Sequence, residues 1–133
     1  ERPVNNLADL QGLKIRVMAA PIEAEVWSTL GTKPVSIPFG DIYSAMQTGL
    51  VQAAEGGASS YFTAKHYELA EYYSLTGHQW LVTILNVSDQ TWESLPSDIQ
   101  AAVLEAASMM SDYQINFNAD KDQEVIVQMQ DEY

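Results

Sequence analysis

Residues 13–21 (LKIRVMAAP) are the stretch that decides the fold. Apolar and polar side chains alternate from residue 13 to residue 18, a pattern that predicts a β-strand. Pro21 is suited to the first turn of a helix, and the acidic Glu23 that follows favours a helix N-terminus. We therefore predict a strand over residues 13–18 and a helix over residues 21–30, which together form the first part of a β–α–β unit.

The same alternation of strand and helix continues along the chain. Further strands are predicted over residues 33–37, 50–54, 72–75 and 79–87, and further helices over residues 42–48, 59–70, 89–94 and 97–133. This order predicts an α/β fold, with a mostly parallel sheet flanked by helices. Ligands of such sheets bind at the carboxyl ends of the strands, so residues 18–23, 39–43 and 55–61 are the candidate site loops.

Composition excludes several classes of function. The 133 residues include 18 acidic and 6 basic side chains, a net charge of −12. This balance argues against binding to nucleic acid or to an anionic membrane, because both need clustered Lys and Arg. The chain has no cysteine, which excludes a disulfide, a thiolate zinc site and a cysteine nucleophile. No run of about 20 apolar residues occurs, so no membrane-spanning helix is predicted.

Motifs of enzymes and cofactor sites are absent. The chain has no GxxxxGK[ST] or GxGxxG loop for nucleotides and no GxSxG nucleophile elbow. His66 and His78 are the two histidines, and neither has a second ligand at the spacing of a zinc helix. We predict that both pack or form hydrogen bonds, and that the protein has no enzymatic activity, no metal and no cofactor.

Arg16 is the most informative single residue. It lies between Ile15 and Val17 in an apolar strand and is one of only 6 basic residues. A guanidinium is costly to bury without a partner, and its fork matches a carboxylate in two-pronged geometry. Two interpretations stay open: Arg16 binds a ligand carboxylate, or it lies on the solvent face of an edge strand and pairs with a local acid.

A loop with paired glycines, Glu55-Gly56-Gly57, follows the predicted strand 50–54. Glycines permit positive φ and the close approach of a ligand or of a helix N-terminus. The alternative is a tight turn from strand to helix with no role in binding.

The last predicted helix, residues 97–133, is unusually long. At 1.5 Å per residue it would measure about 55 Å, so it either breaks near residues 116–118 or reaches another lobe or subunit. Its apolar positions recur every three or four residues, which predicts core or interface packing. These positions are Ile99, Val103, Ala106, Met110, Tyr113 and Phe117. Acidic residues and no Gly or Pro stop at the end of the helix predict a chain cut inside this element.

Four segments together resemble one protein family. They are LADLQGLKIRVMAAP (7–21), LGTKPVSIPFGDIYSAMQTGLVQAAEGG (30–57), YSLTGH (73–78) and TWESLPSDIQAAVLEAA (91–107). In this order they resemble the DctP-type periplasmic solute receptors of TRAP transporters, over nearly the whole chain. The resemblance implies two α/β lobes that close around an organic acid and deliver it to a membrane permease. It implies a periplasmic location and a binding protein, not an enzyme.

The resemblance also implies a domain organisation, because members of the family are more than twice as long as this chain. Residues 1–8 correspond to a linker and residues 9–78 to a periplasmic-binding-protein-like lobe. Residues 79–96 correspond to a crossing strand and turn towards a missing first lobe, and residues 97–133 to the long helix.

Site residues follow from the same resemblance. The predicted ligand-binding residues are Arg16, Ala19, Phe39, Tyr43, Glu55 and Gly56. Arg16 matches the arginine that binds the ligand carboxylate, and Phe39 matches an aromatic residue of the pocket. Ala19 and Gly56 fall where relatives carry asparagine, so two amides are missing and we expect room for a bulkier or less polar acid.

A competing hypothesis is an assembly module without a ligand. A lobe without its partner leaves an apolar face exposed, and such a face rarely stays uncovered. We therefore expect self-association through the helix from residue 97 onward or through residues 79–87.

Overall fold

The computed structural model describes residues 2–80 and 82–132, the last of these in its backbone only. The strands are β1 (Lys14–Val17), β2 (Lys33–Ser36) and β3 (Ala53–Ala54). The helices are α1 (Pro21–Thr29), α2 (Ile42–Gln47), α3 (Ala58–Thr63), α4 (Asp89–Ser94) and α5 (Ser97–Glu132). Short 3-10 helices cover Leu7–Leu10, Phe39–Asp41 and His66–Glu68. The chain divides into two compact units, Glu1–Leu75 with Val125–Tyr133 and Thr76–Glu124.

A three-stranded parallel sheet in the order β2-β1-β3 organises the first unit. The predicted α/β class with a parallel sheet is confirmed. Arg16 pairs in register with Val35 of β2 and with Ala54 of β3, so it lies on the central strand. Residues Ile15 to Val17 are all buried, and successive side chains of a strand point to opposite faces. Both faces of β1 are therefore covered, and Arg16 points away from the face that Ile15 and Val17 share.

Two clusters of apolar side chains form the core of this unit. One contains Leu10, Ile15, Val17 and Trp27, and the other contains Ile37, Ala45 and Val51. Val17 is fully buried, which is worth about 1.5–3 kcal/mol relative to an exposed side chain. Pro21 occupies the start of α1, where its missing N–H would have no partner in any case. Core packing and this start signal together place the loop after β1 at the carboxyl edge of the sheet.

Val4 and Asn6, which fall in the predicted linker over residues 1–8, take part in local structure. Val4 packs against the first core cluster, and its N–H donates to Ser74 Oγ at 3.0 Å. Asn6 caps the 3-10 helix Leu7–Leu10 by accepting the N–H of Ala8. Apolar Val4 and the capping side chain are the local reasons for this order.

Predicted strands at residues 72–75 and 79–87 are wrong for the residues that the structure describes. Residues 70–80 and 82–88 have no strand assignment, and Leu81, inside the second prediction, lies outside the described residues. β-branched and aromatic residues favour strands, but a strand also needs a neighbour for its backbone hydrogen bonds. Trp80, inside the second predicted strand, is 93% exposed.

The last helix, α5, is continuous through residues 116–118. Its 36 residues contain neither Gly nor Pro and span about 54 Å. Asn116 stays compatible with the helix because its Nδ2 donates to the carbonyl of Asp112 at 2.9 Å. The six apolar positions predicted to pack are all exposed, whereas Val125 near the end is buried. The prediction that this stripe packs in the core is therefore wrong for the described residues. The alternative, that it packs at an interface, stays a prediction.

The predicted helix 59–70 is interrupted. Helix α3 ends at Thr63, and Lys65 adopts a left-handed conformation with φ of 56° before the 3-10 helix His66–Glu68. A single residue of this conformation changes the direction of the chain, which no local pattern announced. Among the described residues, no helix is long and apolar enough to cross a membrane.

Candidate ligand-binding site

Arg16 is the centre of the candidate site. It is 5% exposed, its Nε donates to the carbonyl of Ile37 at 2.8 Å, and its Nη1 lies 3.4 Å from Glu55 Oε1. The interpretation as a surface arginine on an edge strand is wrong, because β1 is central and the side chain is buried. The local acid in that interpretation is nevertheless present, and it is Glu55.

The ion pair of Arg16 and Glu55 is buried but loosely made. The two side chains are 6% and 8% exposed, which carries a high desolvation cost for both charges. Its N···O distance of 3.4 Å exceeds the 2.7–2.9 Å typical of a charge-assisted hydrogen bond. Among the described residues, Nη2 donates no hydrogen bond. The guanidinium therefore keeps N–H donors for a further anion while Glu55 offsets part of its charge.

His66 joins this neighbourhood and was not among the predicted site residues. It is 5% exposed, with its ring 6.0 Å from that of Phe39 and 6.2 Å from that of Tyr61. Burial and, to a smaller extent, the positive charge of Arg16 lower the pKa of His66 below 6.5. The prediction that it packs is consistent with these ring contacts. Its ring contacts follow the left-handed turn at Lys65, which the sequence pattern did not reveal.

Phe39 forms one wall of an open groove beside this cluster. The ring is 55% exposed, and the groove encloses about 470 Å³. Its lining residues are Phe39, Ser59, Ser60, Thr63 and Ala64. Three hydroxyl groups therefore lie beside an aromatic face. None of the three was a predicted site residue, although Ser59 and Ser60 lie in the candidate loop 55–61.

Tyr43 and Ala19 do not share the buried surroundings of Arg16. The Tyr43 hydroxyl donates to Glu68 Oε2 at 2.7 Å. This hydrogen bond, together with burial and the negative charge of Glu68, raises the pKa of Tyr43 above 10.0. Ala19 is exposed in the loop between β1 and α1. Neither residue has a described hydrogen bond to Arg16.

Gly56 and Gly57, which follow Glu55, do not adopt the positive φ that glycine permits. Gly56 and Gly57 are not among the residues with positive φ, and a Cβ at either position would meet no atom within 4 Å. The Gly56 carbonyl accepts a hydrogen bond from the Tyr73 hydroxyl at 2.8 Å. What these residues provide is open space next to the Glu55 side chain, not a strained turn.

A second cavity of about 480 Å³ lies in the same unit. Its lining residues are Tyr61, Tyr67, Ala70, Glu71, Tyr72, Tyr73, Leu75, Ile126, Met129 and Gln130. None of these was a predicted site residue, and Arg16 does not line the cavity. No group of three or more metal-binding side chains occurs in the part of the chain that the structure describes.

Comparison with known proteins places this geometry in a class of binding proteins. The chain belongs to the DctP family, described as bacterial extracellular solute-binding protein, family 7. The sequence model of this family matches residues 1–133. A solute-binding protein of Sulfitobacter sp. strain NAS-14.1 is 40% identical over 113 residues, which is 85% of this chain and 34% of that protein. The chain thus spans about a third of the length of this curated relative.

Solved structures agree in fold. A TRAP periplasmic solute-binding protein of Bradyrhizobium, in complex with α/β-D-galacturonate, is 34% identical with a TM-score of 0.91. A second, from Chromohalobacter salexigens with bound D-glucuronate, is 31% identical with a TM-score of 0.93. The matches cover 98% of this chain and 43% and 44% of those chains. These relatives are periplasmic binding proteins that hold an organic acid.

Proposed function

We propose that this chain forms the ligand-binding lobe of an extracytoplasmic receptor that captures an organic carboxylate. The observation that carries the proposal is Arg16, a buried arginine on the central strand whose Nη2 has no described acceptor. A carboxylate that meets Arg16 in a desolvated site gains more from the pair than it would in water. Glu55 holds the guanidinium in place without consuming all its donors.

A hexuronate is the ligand class that best combines the clamp with the neighbouring groove. Two relatives hold D-galacturonate and D-glucuronate, which carry one carboxylate and several hydroxyl groups. In this chain Arg16 would bind the carboxylate, while Phe39 and the hydroxyls of its groove would face the sugar ring. Ala19 and Gly56 have no side-chain amide that could bind a sugar hydroxyl, and the hydroxyls of the groove would form such hydrogen bonds instead. The hydroxyl of Tyr43, held by Glu68, would lie at the margin of the site.

The role of the whole protein follows from the family. The receptor would work in the periplasm, deliver its ligand to the membrane permease of a TRAP transporter, and catalyse no reaction. Residues 9–78 would carry the site, residues 79–96 the connection to a first lobe, and residues 97–133 the long helix. Support comes from relatives that are binding proteins and from the share of their length that this chain spans.

Substitution of Arg16 tests the proposal. In the full-length protein that carries these residues, we expect Arg16→Ala to weaken D-galacturonate binding by about 10- to 100-fold. A charged hydrogen bond to a ligand is worth about 1.5–3 kcal/mol, and the variant also removes the positive charge that Glu55 pairs with. Arg16→Lys should recover little, because a point charge does not reproduce the planar fork. Isothermal titration calorimetry with D-galacturonate, D-glucuronate and succinate measures these affinities.

Arg2→Ala is the matched control. Arg2 is the other arginine of the chain, and it donates to the carbonyl of Asp9 on the surface. Its substitution should leave the affinity within about twofold, since exposed charges contribute little. Undiminished binding by Arg16→Ala would show that the clamp is misassigned.

The competing function as an assembly module has one observation in its favour. Several large apolar side chains of α5 are exposed, among them Leu104, Met109 and Ile115 at 61–70%. Self-association and ligand capture are compatible, so this hypothesis replaces the first only if no carboxylate binds.

A further inference from the structure

The cavity of about 480 Å³ that is lined by parts of residues 61–75 and by the end of α5 has no role in the proposed capture of a carboxylate. Its lining residues all belong to the unit that contains residues 2–75 and the end of α5. None of them lines the groove beside Phe39. Pockets for small molecules usually have about 300–1,000 Å³, so the volume of this cavity is that of a second small-molecule site.

Aromatic rings form much of the wall of this cavity. Four tyrosines line it, and they are Tyr61, Tyr67, Tyr72 and Tyr73. The rings of Tyr61 and Tyr73 lie 5.1 Å apart at an angle of 50°. The Tyr61 hydroxyl donates to the carbonyl of Ala70. The Tyr73 hydroxyl donates to the carbonyl of Gly56 at 2.8 Å. Two of the rings are therefore held in place before a ligand arrives, which reduces the entropy that binding costs.

Glu71 gives the cavity its charge. It is the one carboxylate among the described residues that line the cavity, and no Lys, Arg or His is among them. Gln130 adds a neutral amide, and Ile126 and Met129 add apolar surface from α5. The net charge of the whole chain is −12, which attracts cations to its surface more than anions. These groups together favour a ligand that is positively charged and partly apolar.

We propose that this cavity binds a small organic cation whose ammonium group carries methyl groups. The face of an aromatic ring carries partial negative charge and attracts a cation within about 6 Å of the ring centre. Methyl groups give such an ammonium an apolar surface that packs against tyrosine rings, while the carboxylate of Glu71 pairs with its charge. The inference goes beyond the proposed function and does not depend on it, because Arg16 does not line the cavity.

A pair of probes of the same shape tests the role of the charge. Choline and 3,3-dimethylbutan-1-ol differ in that carbon replaces the ammonium nitrogen in the neutral alcohol. NMR titration of the full-length protein that carries these residues, at constant ionic strength, measures both affinities. We expect choline to bind at least about fivefold more tightly, because more than one ring and a carboxylate contribute. Equal affinities, or no binding of choline, would overturn the inference.

Substitutions at Tyr72 and Glu71 test the two kinds of contact. Tyr72 is 48% exposed and Glu71 is exposed, so their replacement should leave the fold intact. Tyr72→Leu removes one aromatic face and should weaken choline binding about two- to fivefold, and Tyr72→Phe should restore most of that loss. Glu71→Gln should weaken choline binding up to about fivefold.

Glu25→Gln is the matched control for charge. Glu25 is an exposed residue of α1 and does not line the cavity, and its substitution changes the net charge by the same amount as Glu71→Gln. It should leave the affinity for choline unchanged. An equal effect of the two substitutions would show that the net charge of the chain, and not this cavity, attracts the cation. Unchanged affinity in both Tyr72→Leu and Glu71→Gln would also refute the site.

Two further measurements locate the cation and identify its source. Choline should bind to the natural protein equally well when D-galacturonate is present, and displacement by D-galacturonate would assign choline to the site of Arg16 and overturn the inference. The volume of the cavity suits a free solute, although a lipid head group carries the same ammonium. The protein should therefore not sediment with phosphatidylcholine vesicles. Sedimentation that Glu71→Gln abolishes would contradict the assignment to a free cation.

Discussion

At the scale of single residues, the burial of Arg16 decides the chemistry of the site. A guanidinium on a central strand is stable only if its N–H groups find acceptors, and Ile37 and Glu55 supply two of them. Nη1 of Arg16 lies 3.4 Å from Oε1 of Glu55, which is long for a charged hydrogen bond, and both side chains are buried from water. The same arrangement puts a positive charge beside His66, whose neutral form it favours. The charges at this site are thus those of Arg16 and Glu55, and His66 favours its neutral form.

His66 should make the stability of the protein depend on pH. In the unfolded chain its pKa has the ordinary value near 6.5, and in the folded protein it is lower. Below about pH 6.5 the unfolded state therefore binds more protons, so the free energy of unfolding decreases as the pH falls and levels off below the folded pKa. Each unit of lowering costs at most about 1.4 kcal/mol.

Urea unfolding between pH 7.5 and 5.0 measures this effect in the absence of ligand. The natural protein should lose more stability over this range than His66→Phe, whose only difference is the titrating ring. Carboxylates titrate alike in both proteins, so their contribution cancels in the comparison. Parallel stability curves would contradict the buried, neutral state of His66.

At the scale of elements, α5 has a composition that favours a helix, although the apolar side chains predicted to pack are exposed. Its 36 residues hold together through local hydrogen bonds and the absence of Gly and Pro, not through a buried stripe. Met110 and Tyr113 face solvent at 60% and 62% exposure, and the rings of Tyr113 and Phe117 stack on each other at 5.5 Å. An amphipathic helix normally buries its apolar face, so this face is expected to find a partner.

We expect the chain to self-associate through this face of α5. The double variant Met110→Gln with Tyr113→Ser should shift the protein towards monomer by at least about tenfold in dissociation constant, since each buried large side chain contributes about 1.5–3 kcal/mol. Light scattering coupled to size-exclusion chromatography over a wide concentration range measures the mass. Lys121→Gln is the control, because Lys121 pairs with Glu124 on the surface of the same helix. A monomer at every concentration of the natural chain would refute the expectation.

At the scale of the whole molecule, the chain spans only a part of its relatives. The structural match covers 98% of this chain but only 43% of the chain solved with galacturonate. Arg16 and the residues that line the groove beside Phe39 all belong to the unit that contains residues 2–75. The strength of the carboxylate pair depends on how completely water is excluded, so a one-sided site is a weak one.

Residues 1–133 alone should therefore bind D-galacturonate weakly. An exposed ion pair is worth about 0–1 kcal/mol, whereas micromolar affinity requires about 8 kcal/mol. We expect a dissociation constant in the millimolar range for residues 1–133, against much tighter binding by the full-length Bradyrhizobium relative measured in parallel. Calorimetry of both proteins provides the comparison, and micromolar affinity of residues 1–133 would contradict the need for a second surface.

Sequence alone determined the features that depend on neighbours along the chain. The alternation at residues 13–18 and the proline at position 21 placed β1 and α1, and α4 and α5 begin where they were predicted to begin. The odd position of one arginine in an apolar strand predicted the centre of the candidate site. These signals are local because hydrogen bonds, caps and side-chain alternation act over a few residues.

Only the tertiary structure decided which groups meet. Glu55 pairs with Arg16 across 39 positions, and the ring of His66, which follows the left-handed turn at Lys65, lies 6.0 Å from that of Phe39. Residues 79–87 have the composition of a strand but find no strand beside their described part, so their backbone takes another form. Pairing, burial and the pKa of a buried ring arise from contacts between distant segments, and a pattern of neighbouring residues contains no record of those contacts.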